Sequence, residues 1–164
     1  MAHAHQGTIT PRVVTVTVSD TRTEADDKGG ATLRELLSSA GFALGAHSIV
    51  RDDREAIRSA VRGAIAAGSV DAVVLTGGTG IAPRDVTYEA VAPLLDKTLD
   101  GFGEAFRRLS WDEVGPRAIL SRALAGTLDG VVVVALPGSV NAVRLAVERI
   151  VVPVLPHCVA LLRG

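Results

Sequence analysis

The sequence predicts an α/β domain built on a parallel sheet covered on both faces. Short β-branched runs alternate along the chain with stretches of helical spacing. The central runs, "DAVVLTGG" and "GVVVVALPGS", are continuously apolar, where a sheet with one wet face would alternate. The 164 residues suit one domain, and with 48% apolar but only 3% aromatic residues its core must be aliphatic.

Each element follows from its own pattern. The first ten or so residues read as a loose arm (1–12), with the single domain taken as 13–164. "RVVTVTV", Arg12 to Val18, is β-branched and short, a strand. "SDTRTEADDKGG" is a long polar loop. "ATLRELLSSAG" spaces Leu33, Leu36 and Leu37 as a helix that Gly41 stops. "FALGAHSIV" is a weaker strand. "DREAIRSAVRGAIAAG" puts Ile57, Val61, Ala64 and Ile65 on one helical face and ends at Gly68. "DAVVLTGG" is a strand running into a glycine loop, and "VTYEAVAPLLD" a helix bent or ended near Pro93. From Lys97 to Thr127 the chain is polar, with short helical pieces such as "GFGEAFRRLS". "GVVVVALPGS" is the clearest buried strand. "NAVRLAVERIVVPVLPHCVALL" closes the chain as helix, interrupted at Pro153 and Pro156.

Composition narrows the function. A net charge of −1 argues against broad electrostatic binding to nucleic acid. No stretch reaches the roughly 18 uninterrupted apolar residues of a membrane span. The lone cysteine, Cys158, cannot form an internal disulfide. The start "MAHAHQGTIT" lacks a basic segment followed by an apolar one, so a cytoplasmic location is expected. His3 and His5 lie in the arm, and His47 and His157 are isolated. Cys158 suits core or interface better than a nucleophile, and Trp111 is a candidate for packing on a neighbouring subunit.

In open parallel sheets ligands sit beyond the carboxyl ends of the strands. Three loops leave such ends and lead toward helices: "SDTRTEADDKGG", "TGGTGIAPRD" and "LPGSVNA". Glycines that let a backbone approach closely, and free N–H groups at a helix start, suit an anion such as phosphate. The loop is neither of the two familiar phosphate motifs. Ile81 and Ala82 follow its last glycine where a P-loop needs Lys-Ser/Thr, and Pro83 stands where the dinucleotide pattern needs glycine. Taken alone, the turn is equally a tight loop with Asp85 or Thr87 as a helix cap, and Asp52 and Asp53 the start of a helix. Pairing with Pro137-Gly138-Ser139 tips the reading toward binding.

The segments "TVSDTRTEADDKGG", "VVLTGGTGIAPRDVTYEAV", "GFGEAFRRLS", "AILSRALAG" and "ALPGSVNAVRLAVE" occur in an order that resembles molybdenum cofactor biosynthesis proteins of the MogA/MoaB type. The likeness runs from about Val13 to the end, and the short length and "SDTRTEADD" opening favour the MoaB branch. It implies a three-layer α/β/α fold with a mostly parallel sheet, and a homotrimer or a dimer of trimers. It implies adenylylation of molybdopterin by ATP with Mg2+, giving adenylyl-molybdopterin and pyrophosphate, and a transient contact with a molybdenum insertion protein. Some members of this branch depart from the motif, so a protein that only binds molybdopterin or its precursor is the alternative.

The same resemblance assigns residues. Asp52, in "IVRDD", and Asp85, in "PRDVT", are the carboxylates for catalysis and Mg2+; Asp53 competes with Asp52 for that role. Substrate contacts fall on Ser19, Asp20 and Thr21, on Gly77, Gly78, Thr79 and Gly80, and on Arg84 and Thr87. They continue with Ser121 and Arg122 in "LSR", then Pro137, Gly138, Ser139 and Asn141. The chemistry suits these residue types. A phosphate monoester, with a second pKa of about 6, needs no strong base to act as nucleophile. The difficulty is bringing two anionic phosphates together, which calls for a cation and oriented N–H donors.

Overall fold

The computed structural model describes residues 8–164, so His3 and His5 lie outside it. The chain runs β1 (Arg12–Val18), α1 (Lys28–Ser39), β2 (Ala43–Val50), α2 (Arg54–Ala66), β3 (Ala72–Thr76) and α3 (Thr87–Val91). It continues with β4 (Lys97–Thr98), α4 (Asp100–Val114), β5 (Leu124–Leu128), β6 (Val131–Leu136), α5 (Val140–Ala146) and α6 (Val152–Arg163). Short 3-10 segments cover Ala92–Leu94 and Gly115–Leu120. The six strands form one sheet in the order β2-β1-β3-β6-β5-β4, parallel from β2 to β6 and antiparallel for β5 and β4.

The apolar runs are continuous because both faces of the sheet are buried. Ala72 and Val74 of β3, with Val132, Val134 and Leu136 of β6, pack under α1, α4 and the C-terminal helix. Their alternates, Val73, Leu75, Val131, Val133 and Ala135, pack under α2 and α3 through Ile57, Val61, Ala90 and Val91.

Three sequence expectations need correction. The polar stretch 97–127 holds a helix of 15 residues, anchored by buried Phe106, and two strands, not only short helical pieces. β5 joins β6 through Asp129-Gly130, whose φ values of 51° and 78° fit a two-residue hairpin turn. The closing helix is not interrupted at its prolines. It runs from Val140 to Arg163, with a π-helical stretch at Val147–Val151. Pro153 follows directly on that stretch, whose wider turn takes up the missing N–H, and Pro156 is carried inside α6. This is the one helix among the described residues long and apolar enough to cross a membrane. Its buried Val143, Ala146, Val147, Val151, Leu155 and Val159 pack on the sheet as a core helix does.

His47 is not isolated. Its Nδ1 is 2.9 Å from Thr15 Oγ1 and its Nε2 is 3.2 Å from Asp27 Oδ2. Buried Asp27 also accepts from Thr17 Oγ1 at 2.6 Å and caps α1 by accepting from the Gly30 N–H at 2.9 Å. Arg34 donates to Thr15 Oγ1 at 3.0 Å. This polar chain fixes the start of α1 to β1 and β2.

Candidate functional site

The chain steps from β1 outward to β2, then back across to β3 on the other side of β1. The carboxyl ends of β1 and β3 therefore flank a point where the strand order reverses, the usual ligand crevice of such sheets. The loops after β2, β1, β3 and β6 all emerge along this edge, carrying Asp52, Ser19–Asp20, Gly77–Gly80 and Pro137–Ser139.

A cleft of about 450 Å³ opens there. Gly77, Gly78, Thr79, Gly80 and Asp85 line one side, and Pro137, Gly138, Ser139 and Asn141 another. Ser121 lines it as well. A larger cleft, about 570 Å³, lies between Phe42, Pro153 and His157 and, among the described residues, is lined by no carboxylate, arginine or lysine.

The glycine loop is built to present N–H groups. Thr87 Oγ1 donates to Gly77 O at 2.8 Å, and the Thr87 N–H to Gly78 O at 3.0 Å. The Arg122 N–H donates to Thr79 O at 3.0 Å, and Arg122 Nε to Gly80 O at 3.0 Å. Four consecutive carbonyls are thus held from behind. In a trans peptide the following N–H points the opposite way. The N–H groups of Gly78, Thr79, Gly80 and Ile81 donate to no protein acceptor among the described residues. Such a row is an anion-binding concavity. The path demands glycine: φ is 103° at Gly77 and 68° at Gly78, and a side chain on Gly77 would run into the Val18 carbonyl.

The carboxylates stand around this loop. Asp85 Oδ2 accepts from the Ala82 N–H at 3.0 Å, within its own loop. α3 has no side-chain cap, so neither Asp85 nor Thr87 serves as one. Asp53 caps α2 through the Ala56 N–H at 2.9 Å, while the Asp52 carboxylate packs against Gly78 of the loop, outside the cleft walls that Asp85 lines. The Asp52 N–H donates to Asp20 Oδ1 at 3.0 Å. Asp52 Oδ1 is buried and has no hydrogen-bond partner among the described residues. Burial first, then the negative Asp20 and Asp85, hold the Asp52 carboxyl above its ordinary range, with Arg84 offsetting part of the effect. A buried orphan oxygen that feels the charge of further carboxylates fits a hard cation. Among the described residues no three His, Cys, Asp or Glu side chains converge on one point. That suits magnesium, which keeps several waters and binds one or two carboxylates plus phosphate oxygens.

The expected substrate residues divide into groups. The glycine loop, Ser121, Pro137, Gly138, Ser139 and Asn141 meet in the cleft. Ser139 also caps α5, accepting from the Ala142 N–H at 3.2 Å. Ser19, Asp20 and Thr21 stand on the β1–β2 side beside Asp52, outside the cleft walls. There Ser19 Oγ accepts from the Thr21 N–H at 3.2 Å in a local turn. Arg84 is exposed and forms no ion pair among the described residues. Thr87 and Arg122 are committed behind the loop: Thr87 is buried, and Arg122 pairs with Glu89. Sequence reading missed Ser110, Glu113 and Arg117, which form the facing wall with Phe106 and Leu120. Ser110 and Glu113 share one side of α4 by their i, i+3 spacing, whereas Arg117 comes from the 3-10 segment after Gly115; the signal was hidden because the segment reads as merely polar.

Comparison with known proteins shows the family. Residues 14–157 match the family described as a probable molybdopterin binding domain. Molybdenum cofactor biosynthesis protein B of Halalkalibacterium halodurans is 47% identical over 156 residues, covering 94% of this chain and 92% of that one. A solved structure of a molybdenum cofactor biosynthesis protein B superposes with a TM-score of 0.93 at 48% identity, covering 96% of this chain and 99% of that one. MoaB of Pyrococcus furiosus, described as a tungsten cofactor synthesizing protein, superposes with a TM-score of 0.87 at 42% identity, covering 94% and 98%.

Proposed function

This chain belongs to the molybdopterin-binding domain family, in its MoaB group of molybdenum cofactor biosynthesis proteins, and from that premise we propose that it adenylylates molybdopterin with ATP and Mg2+. The observation that carries the reading is the row of four unpaired loop N–H groups beside Asp85, with the orphan oxygen of Asp52 close by.

In this reading the terminal phosphate oxygen of molybdopterin bonds to the α-phosphorus of ATP. The bond to the β-phosphate oxygen breaks, and pyrophosphate leaves. The nucleophile is already largely dianionic at neutral pH, so no histidine is required. The N–H groups of residues 78–81 hold anionic phosphate oxygens and fix their orientation. Ser139 and the start of α5 offer a second anion seat across the cleft. Ser110, Glu113 and Arg117 face the remainder of the substrate. Asp52 and Asp85 are the residues that would hold Mg2+, directly or through its waters. When bound, the ion supplies the positive charge that lets two anionic phosphates approach.

A second reading, a protein that holds molybdopterin or its precursor without reaction, draws support from the position of Asp52, outside the cleft walls that Asp85 lines. One experiment separates them: incubate the purified protein with molybdopterin, ATP and Mg2+ and follow pyrophosphate and adenylylated pterin. Formation of both supports the enzyme. Saturable pterin binding with no pyrophosphate supports the carrier.

The proposal extends to setting. A homotrimer or dimer of trimers would cover the exposed Leu161, Leu162 and Val154. The activated product would pass in the cytoplasm to a molybdenum insertion protein, without a nucleic-acid or membrane partner.

A further inference from the structure

Arg122 does not line the cleft, although Gly80, Asp85 and Ser121 around it do. Its guanidinium is turned to the back of the glycine loop. Nε donates to Gly80 O at 3.0 Å and Nη2 to Asp85 O at 3.1 Å. Nη1 and Nη2 both bond the Glu89 carboxylate, the second at 3.2 Å. The guanidinium carbon lies 5.4 Å from the Tyr88 ring centre, and the backbone N–H of Arg122 holds Thr79 O. Four of its five guanidinium donors are thereby used, and one face is covered.

We infer that Arg122 is a positioning residue: it turns the carbonyls of Thr79, Gly80 and Asp85 backward, so that the loop N–H groups are set for an anionic ligand before it arrives. The inference rests on the reading that this loop binds phosphate. The Glu89 carboxyl is held below its ordinary range, chiefly by its hydrogen bond to Arg122, so the pair is charged across the neutral range. A lysine cannot replace this fork, because one ammonium cannot bond two carbonyls and a carboxylate in a fixed plane.

The competing role for Arg122, direct contact with a substrate phosphate, predicts the opposite response at Glu89. If Arg122 reached the ligand, Glu89→Gln would release a cation toward it and tighten binding. If Arg122 acts through the loop, Glu89→Gln loosens the brace and weakens binding. The test uses Arg122→Lys, Glu89→Gln and the double variant, with affinity for inorganic pyrophosphate by calorimetry and 15N relaxation of the ligand-free proteins. We expect order parameters of residues 78–86 to fall from about 0.85 in the parent to below about 0.6 in Arg122→Lys, while those of β3 and β6 stay unchanged. Pyrophosphate affinity should drop about tenfold or more in Arg122→Lys and several-fold in Glu89→Gln. The double variant should lose little beyond Arg122→Lys alone, since the two act as one unit. Tighter binding in Glu89→Gln, or an unchanged loop in Arg122→Lys, overturns the inference. A parent that fails to bind pyrophosphate removes the phosphate reading, and the relaxation result then decides the brace by itself.

Discussion

Asp52 and Gly78 meet at a point where only a hydrogen atom fits: a Cβ built on Gly78 would stand 2.7 Å from Asp52 Oδ1. Carboxylate and loop backbone are therefore packed as one unit, although they follow different strands. Gly78 also has a φ of 68°. Gly78→Ala should cost about 1–3 kcal/mol from strain at this position and push Asp52 outward. Calorimetric melting should show the loss, and pyrophosphate titration should show weaker binding at a temperature where the variant is still folded.

The raised Asp52 carboxyl gives a pH signature. Between its ordinary value of 3.8 and its higher value in the fold, the folded protein binds the proton better than the unfolded chain. The contribution of this group to stability therefore falls as pH rises through that window, and it remains unfavourable at neutral pH. Asp52→Asn should melt at or above the parent temperature at pH 7, with the gap closing below about pH 4. Added Mg2+ should raise the melting temperature of the parent and do little for the variant. A parent less stable than Asp52→Asn at pH 3 by the same margin as at pH 7 would contradict the assignment.

Much of this arrangement was legible because the signals were local. β1, β3 and β6 announce themselves as apolar runs, and the glycine loop as a turn that its pairing with Pro137-Gly138-Ser139 tips toward binding. β5 was not read, because "LAGTL" has weak strand propensity and its strand character comes from pairing with β6. The Asp129-Gly130 hairpin signal was in plain sight. The partners of His47 were hidden for a different reason: Asp27 lies 20 residues away in sequence, and only the parallel pairing of β1 with β2 brings the two together. Arg122 was assigned to the substrate by the family resemblance alone, which does not say on which side of the peptide planes its guanidinium lies.

The Asp27 cluster sets the stability of the first loop. Asp27 is only 5% exposed and accepts from Gly30, Thr17 and His47. Asp27→Ala removes a helix cap, worth about 0.5–2 kcal/mol, strands the buried Thr17 hydroxyl at about 1–3 kcal/mol, and leaves the half-buried His47 without its carboxylate. The expected loss is several kcal/mol in urea unfolding. Asp27→Asn, which keeps the shape and an acceptor, should lose less.

Assembly is checked by light scattering. A trimer should return about three times the 17.0 kDa chain mass. Leu161, 68% exposed on the C-terminal helix, is the residue whose change to Asp tests the packing face. A parent mass of one chain at micromolar concentration contradicts the trimer. Dissociation of Leu161→Asp with an unchanged far-UV spectrum places that helix in the contact.

Asp85→Asn separates catalysis from architecture. The Asp85 carboxylate makes one local bond, from the Ala82 N–H, and an asparagine carbonyl can accept it. α3 does not depend on it for capping, so the variant should melt within about 1 kcal/mol of the parent. Its removal also takes away one of the negative charges that raise the Asp52 carboxyl. Stability should then vary less steeply with pH between the ordinary carboxylate range and neutrality. Binding of molybdopterin should persist, because the loop N–H groups, Ser121 and Ser139 are untouched. Adenylyl transfer should fall by orders of magnitude, since a neutral amide is a poor ligand for Mg2+ and leaves the two phosphates less shielded from each other. Full turnover at saturating Mg2+ would show that Asp85 is not part of the chemistry and would favour the carrier reading. Loss of pterin binding together with turnover would instead place Asp85 in the binding surface.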